Sequence, residues 1–290
     1  MTSNSARFRV GEIQCVAVND GTFLYPIGWF FANVPAEEVE STLRERNLPA
    51  THVESPYTCL LLTNGKHKVL IDTGAGNLAP TTGDLLKNLE AQGVSAKEIT
   101  HVVLTHGHPD HIGGTLNASG EPAFSNARYF MSRTEWDFWN DPTVLHDSAM
   151  DDHMKALLVG YAQKNLPPLK GCIELLDGER EIAPGVQAVP APGHTPGHLA
   201  LLISSANEQL LHITDAVLNP LHMENPSWRN VFDLNPAVAV TTRQRLLDRA
   251  AADKVNVMAY HFPFPGMGRI ESRGHAWKWE AGIDPGRPAV

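Results

Sequence analysis

The sequence is poor in cysteine, in positive charge and in long apolar runs. Its 290 residues include three cysteines, which lie far apart and lack the spacing of a metal site, so we expect reduced core thiols in a cytoplasmic protein. The mature form of an exported protein is the alternative. No apolar run approaches the length of a membrane span, and the polar N-terminus lacks the apolar segment of a secretory signal. The formal net charge of −9 disfavours nucleic acid and anionic membrane as partners, because both require a basic surface.

The apolar content is ordinary for a globular protein, with 42% hydrophobic residues, and its pattern predicts a mixed fold. Strands are predicted at residues 7–19, 57–63, 66–71, 101–105, 129–131, 173–176, 186–190, 198–204, 209–213 and 255–260. Helices are predicted at residues 35–46, 83–92, 134–139, 149–163 and 236–253. With no repeat and no clear linker, we expect a single domain over residues 1–290. Its core is a two-layer sheet with helices outside, and a helical insertion at about 133–170 lies near the functional site.

An aromatic segment at residues 23–31 has no clean period and contains Pro26 and Gly28, so it is predicted to be an irregular apolar loop. Two interpretations remain open. The segment packs on its own domain, or it forms a homodimer contact or the lip of a substrate pocket, because aromatic side chains concentrate at such surfaces.

The strongest functional signal follows the apolar run at residues 102–104. Three imidazoles and a carboxylate lie within six residues, at His106, His108, Asp110 and His111. Packing does not explain them, because burying such groups without partners costs roughly several kcal/mol. They begin where a buried strand ends, which is where α/β proteins commonly carry their chemistry. This stretch therefore predicts a metal site.

Further candidate ligands occur later in the chain in the same local context. His194, Asp215 and His261 each come directly after an apolar or turn-bounded stretch, as His106 does. The shared placement predicts that they converge at one edge of the sheet. Asp72 also follows a predicted buried strand, and it is either a turn former or a partner that orients a ligand histidine.

This set of motifs resembles the metallo-β-lactamase superfamily. The resemblance rests on His-x-His-x-Asp-His at 106–111, Gly-His-Thr-x-Gly-His at 193–198, a late Asp215 and a final His261, and it extends from Asp72 to His261. It implies an αββα sandwich of the α+β class, in which two mixed β-sheets are flanked by helices. It implies a dinuclear site in which one metal is bound by His106, His108 and His194, and the second by Asp110, His111 and His261. Asp215 would bridge the metals and Asp72 would support a ligand imidazole.

The implied ligands are five imidazoles and two carboxylates, with no thiolate. Such a set suits two zinc ions but also manganese, cobalt or iron. Two metals can share a hydroxide that attacks an ester-like bond at neutral pH, and Asp110 could also pass a proton to the leaving group. Hydrolysis is the predicted reaction.

The segment at 23–31, the tryptophan-rich insertion and residues 261–268 resemble the lactonase and methyl parathion hydrolase branch. That branch implies a small hydrophobic substrate, most simply a lactone of the N-acyl homoserine type and alternatively an organophosphate triester. The candidate residues of an apolar pocket wall are Trp29, Phe30, Trp136, Trp139 and Phe264.

Two functions of other classes remain as alternatives. A mononuclear iron dioxygenase acting on sulfur compounds would use fewer of these ligands, and a non-catalytic metal-binding scaffold would keep them without turnover. Among the remaining histidines, His198 and His212 are predicted to be structural, with His198 close enough to hydrogen-bond to the site. The others are predicted to be surface groups (His52, His67, His101, His275) or candidate pocket residues (His146, His153, His222).

Overall fold

The computed structural model describes residues 4–146 and 150–282, and these residues form two seven-stranded sheets. The first sheet contains, in spatial order, β1 (Ser5–Val10), β2 (Ile13–Pro26), β3 (His52–Asn64), β4 (His67–Ile71), β5 (His101–Val103), β6 (Arg128–Ser132) and β7 (Ile173–Leu176). The second sheet contains β8 (Arg180–Ala183), β9 (Val186–Pro190), β10 (Leu199–Ser205), β11 (Glu208–Thr214), β12 (Asn256–Ala259), β13 (Met267–Arg273) and β14 (Ala276–Ala281), again in chain order.

Eight α-helices accompany the sheets in the described ranges. They are α1 (Ile27–Phe30), α2 (Ala36–Glu45), α3 (Leu85–Ala91), α4 (Pro109–Ile112), α5 (Arg133–Asn140), α6 (Asp152–Asn165), α7 (Leu221–Glu224) and α8 (Pro236–Asp253). Short 3₁₀ turns occur at 76–78, 96–98 and 167–171. None of these helices is long and apolar enough to cross a membrane.

The buried side chains confirm the predicted αββα layering. One apolar cluster joins residues of both sheets and includes Cys15 and Leu62 from the first sheet and Leu201 from the second. A second cluster covers the outer face of the first sheet under α3, α5 and α6, and a third covers the outer face of the second sheet under α8. Each sheet is therefore buried on both faces, which explains why its central strands are continuous apolar runs.

Both sheets are mixed, and their parallel strands bring the predicted ligands to one edge. In the first sheet β4 pairs with β5 in parallel, and in the second β11 pairs with β12 in parallel. Asp72 follows β4, and the 105–111 loop follows β5. Asp215 directly follows β11, and His261 comes shortly after β12. The carboxyl ends of parallel strands point the same way, so these four chain segments end together.

The aromatic segment at 23–31 differs from the sequence-based expectation. Residues 23–26 continue β2 and pair with β3 as far as His52, and residues 27–30 form α1. The prediction of an irregular loop is wrong because β3 extends five residues beyond its predicted start and supplies hydrogen-bond partners to an aperiodic sequence. The predicted strand at 7–19 is likewise a hairpin, β1–β2, and the β13–β14 hairpin was not predicted.

Other predicted elements are confirmed with small shifts of their ends, among them the hairpin across Asn64-Gly65 and the long helix α8. The helix predicted at 149–163 is α6, and its predicted first residue, Ala149, lies outside the described residues. All three cysteines are free; Cys15 and Cys59 are buried and Cys172 is half-buried.

Candidate metal centre

The seven predicted ligand residues lie together at the edge where β4, β5, β11 and β12 end. Their donor atoms form three groups, and within each group the atoms lie within 4.8 Å of one another. The groups are His106, His108 and His194; His106, His111 and Asp215; and Asp110, His111 and His261. We call the first of these the three-histidine group and the last the Asp110 group.

Asp215 lies between these two groups. Its Oδ2 atom is 3.0 Å from His261 Nε2, 3.3 Å from His111 Nε2 and 3.4 Å from His194 Nε2. His106 Nε2 is slightly farther, at 3.8 Å. One carboxylate oxygen therefore faces histidines of both groups.

Asp72 fixes the loop that carries four of the candidate ligands. Its carboxylate accepts hydrogen bonds from the Thr105 backbone N–H and hydroxyl, both at 2.8 Å, and lies 2.8 Å from His111 Nδ1. The last contact leaves His111 Nε2 to face the centre. Asp72 itself has a φ of 62°, a conformation that is unfavourable for a non-glycine residue and is held here by these bonds. Asp72 therefore orients an imidazole, as one of its two interpretations predicted.

Two further ligand orientations depend on residues that the sequence did not reveal. His194 Nδ1 lies 2.9 Å from Asp233 Oδ1, and Asp233 is in turn 3.6 Å from the buried Arg243 guanidinium. His261 Nδ1 lies 2.9 Å from the Ser55 hydroxyl. In both imidazoles the outer nitrogen is occupied, so the inner Nε2 is directed at the cluster.

Glu135 on α5 ties the two ligand loops together, and we refer to this arrangement as the Glu135 clamp. Its Oε1 accepts from the Gly107 N–H at 2.9 Å and from Trp139 Nε1 at 2.5 Å. Its Oε2 accepts from the Thr195 hydroxyl at 2.7 Å and from the Gly197 N–H at 2.8 Å. The side chain is fully buried, and burial raises the pKa of its carboxyl, while the four donors oppose that rise.

The glycines of both loops permit this close approach of α5. A Cβ at Gly107 would lie 2.3 Å from Trp139 Cδ1, and one at Gly197 would lie 2.3 Å from the Glu135 backbone nitrogen. No side chain fits in either space, so glycine is required at both positions for steric reasons.

His198 supports Asp215 through the backbone. Its Nδ1–H donates to the Ala191 carbonyl at 2.9 Å, and its Nε2 accepts from the Asp215 N–H at 3.2 Å. The imidazole does not join the three groups of donor atoms. His198 thus lies beside the site and positions the aspartate, and His212, also buried, accepts from the Thr214 N–H at 3.2 Å.

The electrostatics of the centre favour the metal-binding form at some ligands and oppose it at others. Burial, reinforced by neighbouring histidines, lowers the pKa of His106 and His108 well below the usual value, so both rings are neutral. Burial acts in the same direction at His111, but the surrounding carboxylates, chiefly that of Asp215, outweigh it and raise its pKa. At His194 the carboxylates of Asp233 and Asp215 outweigh burial and raise the pKa, which favours the protonated imidazole. Burial alone would raise the pKa of Asp215, yet His261 and His111 hold it well below the usual value. Neutral imidazole and ionised carboxylate are the forms that bind metal.

Several buried polar atoms of the cluster have no hydrogen-bond partner among the described residues. They are the Nε2 atoms of His106, His108 and His111, and Oδ1 of Asp215. Buried polar atoms normally find a partner, so an orphaned set at one point indicates an additional group there. Imidazole nitrogen and carboxylate oxygen together suit divalent transition metals, zinc included, so the residues present fit the metals that the sequence implied.

A cavity of about 310 Å³ lies against the cluster. Its lining includes His108, Asp110, His194, Asp215 and His261 from the candidate ligands. The remaining wall is mostly apolar and aromatic, with Phe23, Tyr25, Trp29, Phe30, Tyr57, Leu78, Pro109, Met154, Leu157, Leu158, Leu218 and Phe232, together with the exposed His153.

Two of the five predicted wall residues line the cavity and three do not. Trp29 and Phe30 line the cavity, whereas Trp136, Trp139 and Phe264 are not among its lining residues. Trp139 is fully buried behind His108, with ring centroids 5.7 Å apart, because its indole N–H is bound by Glu135 on the same helix. Trp136 packs partly buried against the outer cluster of the first sheet, and Phe264 packs against the cluster between the sheets. Phe23 and Tyr25 also line the cavity, which agrees with the interpretation of the segment at 23–31 as the lip of a substrate pocket. Tyr57 and Phe232 line the cavity and were not predicted.

The remaining histidines take varied positions. His153 lines the cavity mouth, but His222 lies behind the wall, where its Nε2 is 2.8 Å from the Phe30 carbonyl oxygen. His146 is exposed and is not among the lining residues.

Comparison with known proteins places the chain in a family. The family model described as the metallo-beta-lactamase superfamily matches residues 53–261 of this chain. The N-acyl homoserine lactonase AiiA of Bacillus thuringiensis subsp. kurstaki is 26% identical over 242 residues, which are 76% of this chain and 87% of that relative.

Solved structures agree over nearly the whole chain. AidC, described as a dizinc quorum-quenching lactonase in complex with a product, superposes with a TM-score of 0.89 at 27% identity, covering 97% of this chain and 99% of that one. The hydrolase AbOPH of the β-lactamase superfamily superposes with a TM-score of 0.88 at 26% identity, covering 96% and 97%. With the fold, the ligand cluster and these matches in agreement, the chain belongs to the metallo-β-lactamase superfamily, resembles its lactonase branch and is a metal-dependent hydrolase.

Proposed function

We propose that this protein is a dinuclear hydrolase that opens lactones of the N-acyl homoserine type. The observation that carries the proposal is the position of a largely aromatic cavity, whose described lining residues include no lysine or arginine, directly against the ligand cluster. The similarity to proteins named as lactonases supports the same substrate class.

In this proposal His106, His108 and His194 would hold one zinc ion, Asp110, His111 and His261 would hold a second, and Asp215 would serve both. When bound, the metals would supply a hydroxide at neutral pH and polarise the ester carbonyl. Asp72, Asp233 and Ser55 hold the ligand imidazoles in place through their outer nitrogens. Because so many ligand atoms converge on Asp215, it is the residue proposed to bridge.

Asp110 is proposed to have a second role as the carrier of a proton. Its carboxylate lines the cavity, and its side chain is about 12% exposed, more than those of the buried histidines around it. A carboxylate at that position can take up a proton and deliver it to the ring oxygen that leaves as the lactone opens.

The residues of the cavity wall favour a neutral substrate with an apolar chain. Among its described lining residues there is no lysine or arginine, while Asp110 and Asp215 are acidic. An anionic phosphodiester would find no lysine or arginine among these residues to pair with its charge beside the metals, whereas a neutral ester with an alkyl chain would bury that chain against Trp29, Phe30 and Phe232. A neutral organophosphate triester meets the same requirements and is the second candidate.

The test is turnover of a substrate panel by protein of measured metal content. The panel contains N-acyl homoserine lactones of varied chain length, a neutral phosphotriester and an anionic phosphodiester. We expect fast lactone opening, slower phosphotriester cleavage and no phosphodiester cleavage. The reverse order of the first two would assign the phosphotriester activity. Failure to turn over either, with two metals bound, would overturn the substrate class.

Metal analysis also addresses the remaining alternatives. One bound iron and oxygen consumption with a sulfur compound would favour the dioxygenase, and two tightly bound metals without any turnover would favour a scaffold. A single domain over residues 1–290 is part of the proposal, and the homodimer and cytoplasmic location stay predictions.

A further inference from the structure

Two tyrosines meet where the aromatic wall of the cavity joins the ligand cluster. Tyr25 lies near the end of β2 and Tyr57 lies on β3, and their hydroxyl oxygens are 2.6 Å apart. Both residues line the cavity; Tyr57 is fully buried and Tyr25 is half-buried. We call them the phenol pair.

The phenol pair has one more O–H donor than it has acceptors among the described residues. Two phenols carry two O–H groups at neutral pH, and their mutual hydrogen bond uses one of them. Neither hydroxyl has another hydrogen bond to a described residue, so the second O–H has no acceptor among the residues that the structure describes. A buried O–H without an acceptor is unfavourable, and the open side of the pair is the cavity.

The surroundings of the two rings define which part of a substrate the spare O–H would meet. The Tyr57 ring packs edge-on against the His261 ring, with centroids 5.6 Å apart. The Tyr25 ring contacts the apolar wall, with its centroid 5.3 Å from that of Phe30 and 5.7 Å from that of Phe232. The hydroxyls thus lie between a candidate metal ligand and the surface that would bury an alkyl chain.

The other polar groups of the wall are poorer candidates for this task. Apart from the candidate ligands, the described lining residues with polar side-chain atoms are the phenol pair, Trp29 and His153. Trp29 is 36% exposed and His153 is also exposed, so both lie at the mouth and compete with water.

We propose that the phenol pair is the hydrogen-bond donor to the ester carbonyl of the substrate. This inference rests on the proposed lactonase function for the identity of that ester. One phenol donates to the other, and the second donates to the carbonyl oxygen, which gains negative charge when the ester carbon is attacked. The bond is therefore stronger in the transition state than in the ground state, which is the condition for raising kcat.

The variants Tyr25→Phe, Tyr57→Phe and the double variant test the proposal. After either single change the remaining phenol still carries one O–H for the substrate, so we expect kcat for lactone opening to fall less than about tenfold. The double variant has no donor, and we expect its kcat to fall about 100-fold, as after loss of one donor to a developing oxyanion. Loss greater than the product of the two single effects is the specific signature.

The double variant is expected to fold as the wild type does, so a loss of kcat would not result from unfolding. Removing both partners of a buried hydrogen bond leaves no orphaned group, so the double variant is expected to keep its Tm and its metal content. Tyr161→Phe, which changes a half-buried tyrosine on α6 outside the cavity lining, is the matched control and is expected to leave kcat unchanged.

A binding measurement separates this inference from the proposed function. The corresponding N-acyl homoserine lactam keeps the ring carbonyl but resists hydrolysis, and calorimetry is expected to show roughly tenfold weaker binding to the double variant. Tighter lactam binding by the wild type, even if the wild type opens no lactone, would support the phenol pair and overturn the lactonase assignment. Equal lactam affinity of wild type and double variant, or a double-variant kcat within twofold of wild type, would overturn the role of the pair.

Discussion

The three-histidine group and the Asp110 group lie on either side of Asp215 but are held in different ways. The three-histidine group offers only imidazoles, and the two loops that carry them are joined by the Glu135 clamp on α5. The Asp110 group contains one carboxylate, and its histidines are oriented by Asp72 and by the neutral hydroxyl of Ser55.

This difference predicts that the two groups have different roles in the centre. The clamp fixes the backbone of the three-histidine group from behind, at a point fully buried from solvent. Asp110 has no clamp of this kind, and its partly exposed carboxylate borders the cavity. We therefore expect the first group to govern how tightly metal is retained and the second to govern proton movement to and from the substrate. The following variants test that comparison.

Asp215→Ala should have the largest effect because it removes the carboxylate that faces histidines of both groups. We expect metal content to fall at both positions and turnover to fall by more than about 100-fold, the upper range for loss of a residue that merely orients a ligand. Metal analysis and kcat measure this. A variant that retained two metals and the full rate would rule out Asp215 as the bridge.

Glu135→Gln should selectively weaken the three-histidine group. The carboxylate accepts four hydrogen bonds, and an amide must direct its N–H₂ at either the Gly107 or the Gly197 N–H, so one loop loses its anchor. We expect the dissociation constant of one metal to rise roughly 10–100-fold in chelator competition, with the other metal unchanged.

The control for the clamp is Asp20→Asn. Asp20 is an equally buried carboxylate that accepts from the N–H groups of Ala75, Gly83 and Leu85, away from both ligand loops. It should lower the free energy of unfolding but change metal affinity much less than Glu135→Gln. Equal metal loss in the two variants would mean that the clamp acts only through global stability.

Asp233→Asn and Asp72→Asn form a matched pair with an intermediate effect. Each removes a carboxylate that bonds a ligand histidine, His194 in the first case and His111 in the second. We expect roughly tenfold weaker metal binding in each, at opposite positions. A two-site metal titration distinguishes them, and loss at the same position in both variants would contradict the assignment of the two groups.

Ser55→Ala should have the smallest effect, because the lost hydrogen bond to His261 involves an uncharged hydroxyl and is worth only about 0.5–1.5 kcal/mol. We expect metal affinity in the Asp110 group to fall less than about tenfold, with the fold intact. An effect as large as that of Asp72→Asn would show that the two supports of this group are equivalent.

Some features of this centre could be predicted because they are local. The ligand residues follow apolar runs, and the pattern of a strand followed by polar residues is visible within about ten positions of the chain. His106, His108, Asp110 and His111 need no distant information, and the parallel pairing of β4 with β5 and β11 with β12 then brings the later ligands to the same edge. Asp72 could be anticipated for the same reason.

The supports of the ligands could not be predicted because their partners are remote. Asp233 meets His194 across 39 positions, Glu135 meets Gly107 across 28, and Ser55 meets His261 across 206. In the sequence Glu135 is one acid among the polar residues of a helix, and Trp139 is one aromatic among several in an insertion. The expectation that Trp139 faces substrate failed because α5 turns it toward its own Glu135 and the 105–111 loop.

The sequence by itself determined the chemistry of this protein: the type, number and order of the groups that can hold metal, and the layered sheets at whose edge they lie. Only the tertiary structure decided which acids hold those groups, which aromatic residues form the cavity and that two tyrosines share one hydrogen bond within it. The physical reason is that strand periodicity and strand ends are encoded by neighbouring residues, whereas orientation and cavity shape arise from contacts between distant segments.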